Sequence, residues 1–168
     1  MKMIVHDLEN AGELPWLTAF GSGQDVIGID NAVIRHCTGC FGCWTRTPGT
    51  CVLKDEYRHL GARLAACDEM VLISRCTYGG YSPFVCNVLN RMLPYVLPYF
   101  RMLKGQMHHQ LRYEQTVKFN VYFYGEDLTA NERQTAQELV QANSLNLGAK
   151  GFEVSFYDNI RQLKEVLS

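Results

Sequence analysis

The sequence predicts a three-layer α/β/α domain with a five-stranded parallel sheet in the order 2-1-3-4-5. Apolar segments that resemble strands alternate with helical segments over the 168 residues. Such alternation with short connections is typical of a parallel sheet with helices on both faces. Residues 70–74 (MVLIS) are continuously apolar, as expected for a central strand buried on both faces. Right-handed crossovers leave few topologies for five strands, and this order is a common one.

The first half of the chain contains the first three predicted strands, at residues 3–8, 26–29 and 70–74. Residues 9–25 separate the first two strands and include Pro15 and Gly21-Ser22-Gly23. They leave room for about two helical turns, so the first helix is predicted to be degenerate, at 15–20. Before the third strand, Asp55 is predicted to cap a helix that ends near Ala66.

The second half adds two strands and three helices. Ser82-Pro83 combines an N-cap residue with proline at the first helical position, and predicts a helix to about residue 93. Alternating apolar residues predict strands at 117–124 and 152–156. Thr129 and Glu132 have capping-box spacing, and the helix that they open is predicted to end near Gly148. Asp158 is predicted to cap a last helix.

Composition indicates one globular domain, residues 1–168, and excludes several functional classes. The net charge is −1 and the sequence has no basic run, so we expect neither a nucleic acid nor a membrane as partner. The start, MKMIVHDLEN, lacks the apolar stretch of a secretory signal. Seven cysteines would leave one over in a disulfide framework. These features predict a cytoplasmic protein with reduced thiols.

Four cysteines lie close together in a glycine-containing loop after the second strand: Cys37, Cys40, Cys43 and Cys51. Thiolates at such short spacing can point at one centre, which suits an iron–sulfur cluster, a zinc ion or a dithiol redox couple. Zinc ribbons prefer two separated pairs, so zinc fits less well. Buried cysteines that act as small apolar side chains are the structural alternative.

The loop after the third strand, Tyr78-Gly79-Gly80-Tyr81-Ser82, is the best candidate for a ligand site. Glycines let a backbone approach a flat ring closely, the tyrosines could stack on its faces, and Ser82 offers a hydroxyl. The sheet order places this loop, the cysteine loop and Gly125-Glu126-Asp127 at the carboxyl edge, where such sheets bind ligands. Cys76, which ends the third strand, is expected to touch the same site. A plain strand-to-helix turn is the structural alternative.

Residues 93–113 are too long for an ordinary connection and are rich in aromatic residues and methionine. They are predicted to form a lid or a subunit interface. His108 and His109 are neighbours, whose side chains point in different directions, so packing is expected there rather than metal binding. The turn after the first strand, Glu9-Asn10-Ala11-Gly12-Glu13, carries two carboxylates where this architecture normally holds a phosphate.

Taken together, these motifs resemble the flavodoxin-family NAD(P)H-dependent oxidoreductases, close to the NADPH-dependent FMN reductases and the iron–sulfur flavoproteins. The resemblance spans residues 33–156 and rests on the cysteine loop through Asp55, on residues 78–82, and on Tyr124-Gly125-Glu126-Asp127. It continues through Asn90-Arg91, Pro98-Tyr99-Phe100, Met107-His108-His109 and Arg112-Tyr113. The phosphate-binding turn of these proteins has no counterpart in this sequence.

The resemblance implies a flavodoxin-like fold, FMN as cofactor, NAD(P)H as co-substrate, and a homodimer or homotetramer. Its carried-over cofactor-binding residues are Thr77, Tyr78, Gly79, Gly80, Tyr81, Ser82, Gly125 and Glu126. Cys37, Cys40, Cys43 and Cys51 match the motif that ligates a [4Fe–4S] cluster in the iron–sulfur members. We expect the subunits to associate through residues 93–113.

The leading functional hypothesis is an FMN-dependent NAD(P)H oxidoreductase that passes hydride from a nicotinamide to flavin and on to a small acceptor. No side chain is identified as a general acid or base. Two alternatives remain open at this point: an iron–sulfur or other metal-binding electron-transfer module that uses the four-cysteine loop, and a cofactor-less flavodoxin-like binding protein.

Overall fold

The computed structural model describes residues 1–9, 23–30 and 32–167. The strands are β1 (Lys2–His6), β2 (Gln24–Gly28), β3 (Glu69–Arg75), β4 (Val96–Leu103), β5 (Gln106–Leu111), β6 (Lys118–Tyr124) and β7 (Gly151–Tyr157). The helices are α1 (Gly42–Thr45), α2 (Leu60–Ala65), α3 (Pro83–Arg91), α4 (Ala130–Leu147) and α5 (Ile160–Leu167), with a 3₁₀ turn at Leu93–Tyr95. The degenerate first helix predicted at 15–20 lies outside the described residues.

The central sheet has five strands in the order β2-β1-β3-β6-β7. All its pairings are parallel. Because β4 and β5 form a separate two-stranded sheet, the order counted within the central sheet is 2-1-3-4-5. The predicted fold class is therefore confirmed. Strand β3 is fully buried from Met70 to Ser74, as its unbroken apolar sequence predicts for the middle of such a sheet.

The sheet separates two hydrophobic clusters, because alternate side chains of each strand point to opposite faces. The larger cluster packs Met70, Leu72 and Phe119 against residues of α2, α3 and α4. The smaller cluster contains Ile4, Val71 and Ile73 with Leu163 of α5. Helices therefore cover both faces, and the carboxyl edge of the sheet is left to the loops.

Helix boundaries follow the predicted caps at two helices. The Ser82 hydroxyl accepts a hydrogen bond from Val85 N–H at the start of α3. Thr129 and Glu132 form a reciprocal capping box at α4, which ends at Gly148 in a left-handed conformation (φ 62°). No helix in the described part of the chain has the length and hydrophobicity of a membrane-spanning segment.

Two other predicted caps are wrong. Helix α2 begins only at Leu60, and its N-cap residue is His59. Asp55 lies before this helix, where its carboxylate pairs with Arg91 and accepts a hydrogen bond from Tyr57 N–H in the preceding turn. At α5 the Asn159 side chain, rather than Asp158, accepts hydrogen bonds from the N–H groups of Arg161 and Gln162.

Strands β4 and β5 form an antiparallel hairpin, which we call the arm. Its turn is Lys104-Gly105, and both residues have positive φ (50° and 77°), as a two-residue hairpin turn requires. His108 is buried and its Nδ1 lies 2.9 Å from Asn146 Oδ1 of α4. His109 Nδ1 lies 2.8 Å from the Leu97 carbonyl oxygen. The two histidines therefore have separate partners within the fold.

Candidate functional site

A cleft with a volume of about 900 Å³ opens at the carboxyl edge of the sheet, beyond β1, β3 and β6. The chain leaves β1 toward β2 on one side and leaves β3 toward β6 on the other. A crevice forms where the connections diverge in this way. Its walls come from the ends of these strands and the starts of the helices. The lining residues are Asp7, Leu8, Glu9, Ile29, Arg75, Cys76, Thr77, Tyr78, Ser82, Pro83, Phe84, Tyr124, Glu132 and Ile160.

The turn between β3 and α3 is a tight reversal at the rim of the cleft. Thr77 and Gly80 exchange two backbone hydrogen bonds of 2.9 Å, and the two residues between them have positive φ. Tyr78 has φ 52° although it is not glycine, and its side chain is 91% exposed. This conformation costs an L-residue about 1 kcal/mol or more. Such strain tends to be kept at ligand-binding sites.

Gly79 fixes this turn against helix α4. It has φ +75°, and a Cβ at this position would lie only 2.8 Å from Thr135 Cβ and 3.0 Å from the Glu132 carbonyl oxygen. Only glycine tolerates both the positive φ and the close approach. The turn is therefore positioned by the first turns of a long, well-capped helix.

Asp7 organises the base of the cleft. Its Oδ2 accepts a hydrogen bond from Arg75 N–H at 2.9 Å, and its Oδ1 accepts one from the Tyr124 hydroxyl at 3.0 Å. This carboxylate thereby links the ends of β1, β3 and β6. Burial and the neighbouring Asp7 raise the pKa of Tyr124, so its hydroxyl stays protonated and continues to donate. Next to it, Ser82 N–H donates to Ser74 Oγ at 2.9 Å.

A smaller cavity of about 400 Å³ adjoins the cleft and shares Arg75, Cys76 and Tyr124 with it. Gly125 and Glu126 line this second cavity. Cys76 is 8% exposed and lines both spaces, at the position that its place at the end of the third strand predicts. Burial is the main cause that raises its pKa, so Cys76 is a protonated thiol at neutral pH.

Seven of the eight predicted cofactor-binding residues separate into three groups. Thr77, Tyr78 and Ser82 line the cleft, and Gly125 and Glu126 line the adjoining cavity. Gly79 and Gly80 build the turn without lining either space.

The prediction that Tyr81 could stack on a ligand ring is wrong. Its side chain is 6% exposed and stacks on Phe123 with a centroid distance of 5.4 Å, and its hydroxyl accepts a hydrogen bond from Asn143. The reversal at residues 78–79 turns Tyr81 inward, into the main hydrophobic cluster.

The charged side chains among the described residues of the cleft are mostly acidic. Asp7, Glu9 and Glu132 line it, and the cationic side chain among its lining residues is Arg75. Glu9 belongs to the turn where this architecture normally holds a phosphate, and the other residues of that turn, 10–13, lie outside the described part of the chain. Carboxylates that line a cleft disfavour the binding of a phosphate dianion there.

The cysteine loop is held from both ends by helix α3. Arg91 donates to both carboxylate oxygens of Asp55 at 2.7 Å, and to the Arg35 carbonyl oxygen at 2.7 Å. Asn87, one helical turn earlier, accepts a hydrogen bond from Cys37 N–H at 3.3 Å. These contacts join the chain before and after the loop to a single face of one helix.

Within the loop the four thiols differ in exposure. Cys40 is exposed, Cys37 is half-buried, and Cys43 and Cys51 are buried. Among the described residues, no group of three or more cysteine, histidine or acidic side chains is arranged to hold a metal ion. The predicted [4Fe–4S] ligation by Cys37, Cys40, Cys43 and Cys51 thus finds no preformed site in this part of the chain.

No protein-family model and no curated protein sequence matches this chain. Solved structures do resemble it. An FMN-dependent NADH-azoreductase from Bacillus anthracis, solved with FMN, superposes with a TM-score of 0.59 over 99% of this chain and 93% of its own, at 8% identity. General stress protein 14 from Treponema denticola, also in complex with FMN, gives 0.55 over 99% and 90%, at 11% identity. The chain has a flavodoxin-like fold.

A flavone reductase shows the same likeness with a TM-score of 0.55 and 14% identity. The match covers 99% of this chain but 58% of that protein. At these identities the superpositions establish the shared architecture.

Proposed function

We propose that this protein is an FMN-dependent NAD(P)H oxidoreductase that passes hydride from a nicotinamide to flavin and on to a small acceptor. The observation that carries the proposal is the cleft of about 900 Å³ at the switch point of the sheet. Ligand sites of this architecture lie at that position, and the volume is within the range of cofactor sites. The neighbouring folds solved with FMN support the same proposal.

The residues present fit the ring of a flavin. Tyr78, Phe84 and Tyr124 offer aromatic surface, and Thr77 and Ser82 offer hydroxyl groups, around one concave space. Gly125 and Glu126 would hold the part of the ring system that reaches the adjoining cavity. A bound flavin would supply the hydride chemistry, which no amino-acid side chain provides.

The chain's own contribution is to hold and orient. The strained Tyr78-Gly79 turn presents backbone and an aromatic side chain at the rim. The Asp7 carboxylate fixes the direction of the Tyr124 hydroxyl. Because carboxylates outnumber cations among the described residues that line the cleft, we expect most of the affinity to come from the ring rather than from the phosphate.

A flavin titration tests this proposal. We expect quenching of flavin fluorescence at one equivalent per chain for FMN, and anaerobic bleaching of the bound flavin by NADH or NADPH. Thr77→Val should weaken binding roughly tenfold, because one hydrogen bond to a ring is worth about 1–1.5 kcal/mol. Thr45→Val, on the exposed side of α1, is the matched control and should leave binding unchanged. Protein that ignores both FMN and riboflavin would contradict the proposal.

A further inference from the structure

The cysteine loop has a chemistry of its own. We propose that Cys40 and Cys43 form a dithiol that exchanges with low-molecular-weight disulfides, with Cys40 as the attacking thiolate and Cys43 as the resolving thiol. The site lies outside the cleft: neither cysteine is among the residues that line it or the adjoining cavity. It therefore adds a second redox function to the molecule.

The backbone around Cys40 presents its sulfur to solvent. Gly39 (φ 65°) and Phe41 (φ 54°) flank it, and both are in the left-handed region. Cys40 is exposed, whereas Cys43, on the first turn of α1, is 7% exposed. Two residues separate the thiols, which is the spacing of dithiol redox motifs.

The absence of a side chain at Gly42 leaves space for the Cys40 sulfur beside the backbone that leads to Cys43. Cys40 Sγ lies 3.5 Å from the point that a Cβ on Gly42 would occupy. A side chain there would also collide with Val52, since the same point is 2.5 Å from Val52 Cγ1. Glycine thus lets the thiol turn back toward α1 rather than extend away from it.

The two thiols are unequally placed, and this assigns the two steps of the exchange: the exposed Cys40 can meet an external disulfide, whereas the buried Cys43 can attack only from within the fold. Hydrogen bonds from Gly42 N–H and the Thr38 hydroxyl lower the pKa of Cys40, and Arg46 adds to this. Burial raises the pKa of Cys43 to about 11, and the neighbouring thiols of Cys51, Cys37 and Cys40 contribute. A low-pKa exposed thiol is the better attacking group toward an external disulfide.

The reaction balances in two displacements. The Cys40 thiolate attacks one sulfur of a disulfide RSSR, the S–S bond breaks, and one RS⁻ leaves as Cys40–S–SR forms. Cys43 then loses its proton and attacks Cys40 Sγ, which expels the second RS⁻. Two protein thiols are oxidised to one disulfide, and RSSR is reduced to two RSH after protonation.

Oxidised glutathione is a suitable probe. Anaerobically reduced protein, assayed beforehand for iron and acid-labile sulfide, is mixed with it, quenched in acid, alkylated and mapped by mass spectrometry. Wild type should gain a Cys40–Cys43 disulfide and release two glutathiones per chain. Cys43→Ala, which keeps the buried position apolar, should trap one glutathione on Cys40. Cys40→Ser should slow oxidation by roughly tenfold or more.

Cys86→Ser is the matched control, because this half-buried thiol lies on α3 outside the loop, and it should behave as wild type. Circular dichroism confirms that each variant is folded. The proposal is overturned if Cys40→Ser oxidises at the wild-type rate, or if Cys43→Ala still releases the second glutathione. It is also overturned if bound iron and sulfide leave the thiols unreactive. No flavin is used, so the result is independent of the proposed function.

Discussion

At the carboxyl edge of the sheet, an individual residue adopts a strained backbone conformation that lowers the stability of the fold. Tyr78 is the clearest case, since a bulky residue stands where the turn requires positive φ, and glycine would be relaxed there. Its ring is almost fully exposed, so contacts of the side chain do not offset the free-energy cost of the positive φ. This uncompensated strain motivates the prediction that the Tyr78 ring serves ligand binding.

Replacing Tyr78 by glycine should therefore separate stability from affinity. We expect Tyr78→Gly to raise the free energy of unfolding by about 0.5–1 kcal/mol, because the left-handed strain is relieved. The same change should weaken flavin binding, because an aromatic surface at the rim is lost. Urea unfolding and flavin titration measure the two effects.

Lys104→Gly supplies the control for this prediction. Lys104 is exposed, has φ 50°, and occupies the same kind of turn at the tip of the arm. It should gain similar stability with no change in flavin affinity. Equal loss of affinity in both variants would show that Tyr78 has no special role at the cleft.

At the scale of elements, helix α3 connects the two candidate sites. Its first residues, Pro83 and Phe84, line the cleft, while Asn87 and Arg91 hold the cysteine loop. The Arg91 side chain is 0% exposed and that of Asp55 is 10% exposed. Breaking such a buried pair leaves an uncompensated charge, which is far more costly than the loss of a surface pair.

Asp55→Asn should lower the free energy of unfolding by about 3 kcal/mol at neutral pH. Its pH dependence follows from the hydrogen bonds of Arg91, the largest of the causes that hold the pKa of Asp55 below its ordinary value. A depressed carboxyl pKa contributes stability that is complete above the unfolded-state pKa of about 4, and that is lost as pH falls through the lower folded-state pKa.

Urea unfolding between pH 3 and pH 7 should therefore show a smaller acid-induced loss in Asp55→Asn than in wild type. The variant should also expose Cys43 to alkylation, since the end of the loop is released. Glu114→Gln, at an exposed carboxylate, is the control and should match wild type in both measurements. An unchanged acid limb in Asp55→Asn would show that the pair does not govern acid stability.

For the molecule as a whole, the fold could be predicted from the sequence more fully than the candidate site. The buried run at 70–74 and the caps at Ser82 and Thr129 are local signals, and each was confirmed. The side chain of Tyr81 points inward because of the tight reversal at residues 78–79, and the residue types before that reversal do not predict it. The hairpin of the arm was not predicted, because Lys104-Gly105 is not among the dipeptides typical of two-residue hairpin turns and Pro98 disfavours a strand.

The arm is also where we expect copies of this chain to associate, as a homodimer or homotetramer. Its inner face packs against α4 through His108, while Tyr99, Phe100, Met102 and Met107 are 58–69% exposed. A two-stranded ribbon is only marginally stable alone. With a net charge of −1, two copies repel each other little, and a self-complementary interface satisfies both at once.

Charge on this face should dissociate the oligomer. Phe100→Glu and Met102→Lys are each expected to raise the dissociation constant roughly tenfold or more, since each puts an unpaired charge into an apolar interface. Sedimentation velocity over a concentration series measures the shift. Val33→Glu, at a side chain that is 90% exposed outside the arm, should sediment as wild type. Wild-type protein that stays monomeric at every concentration would contradict association through the arm.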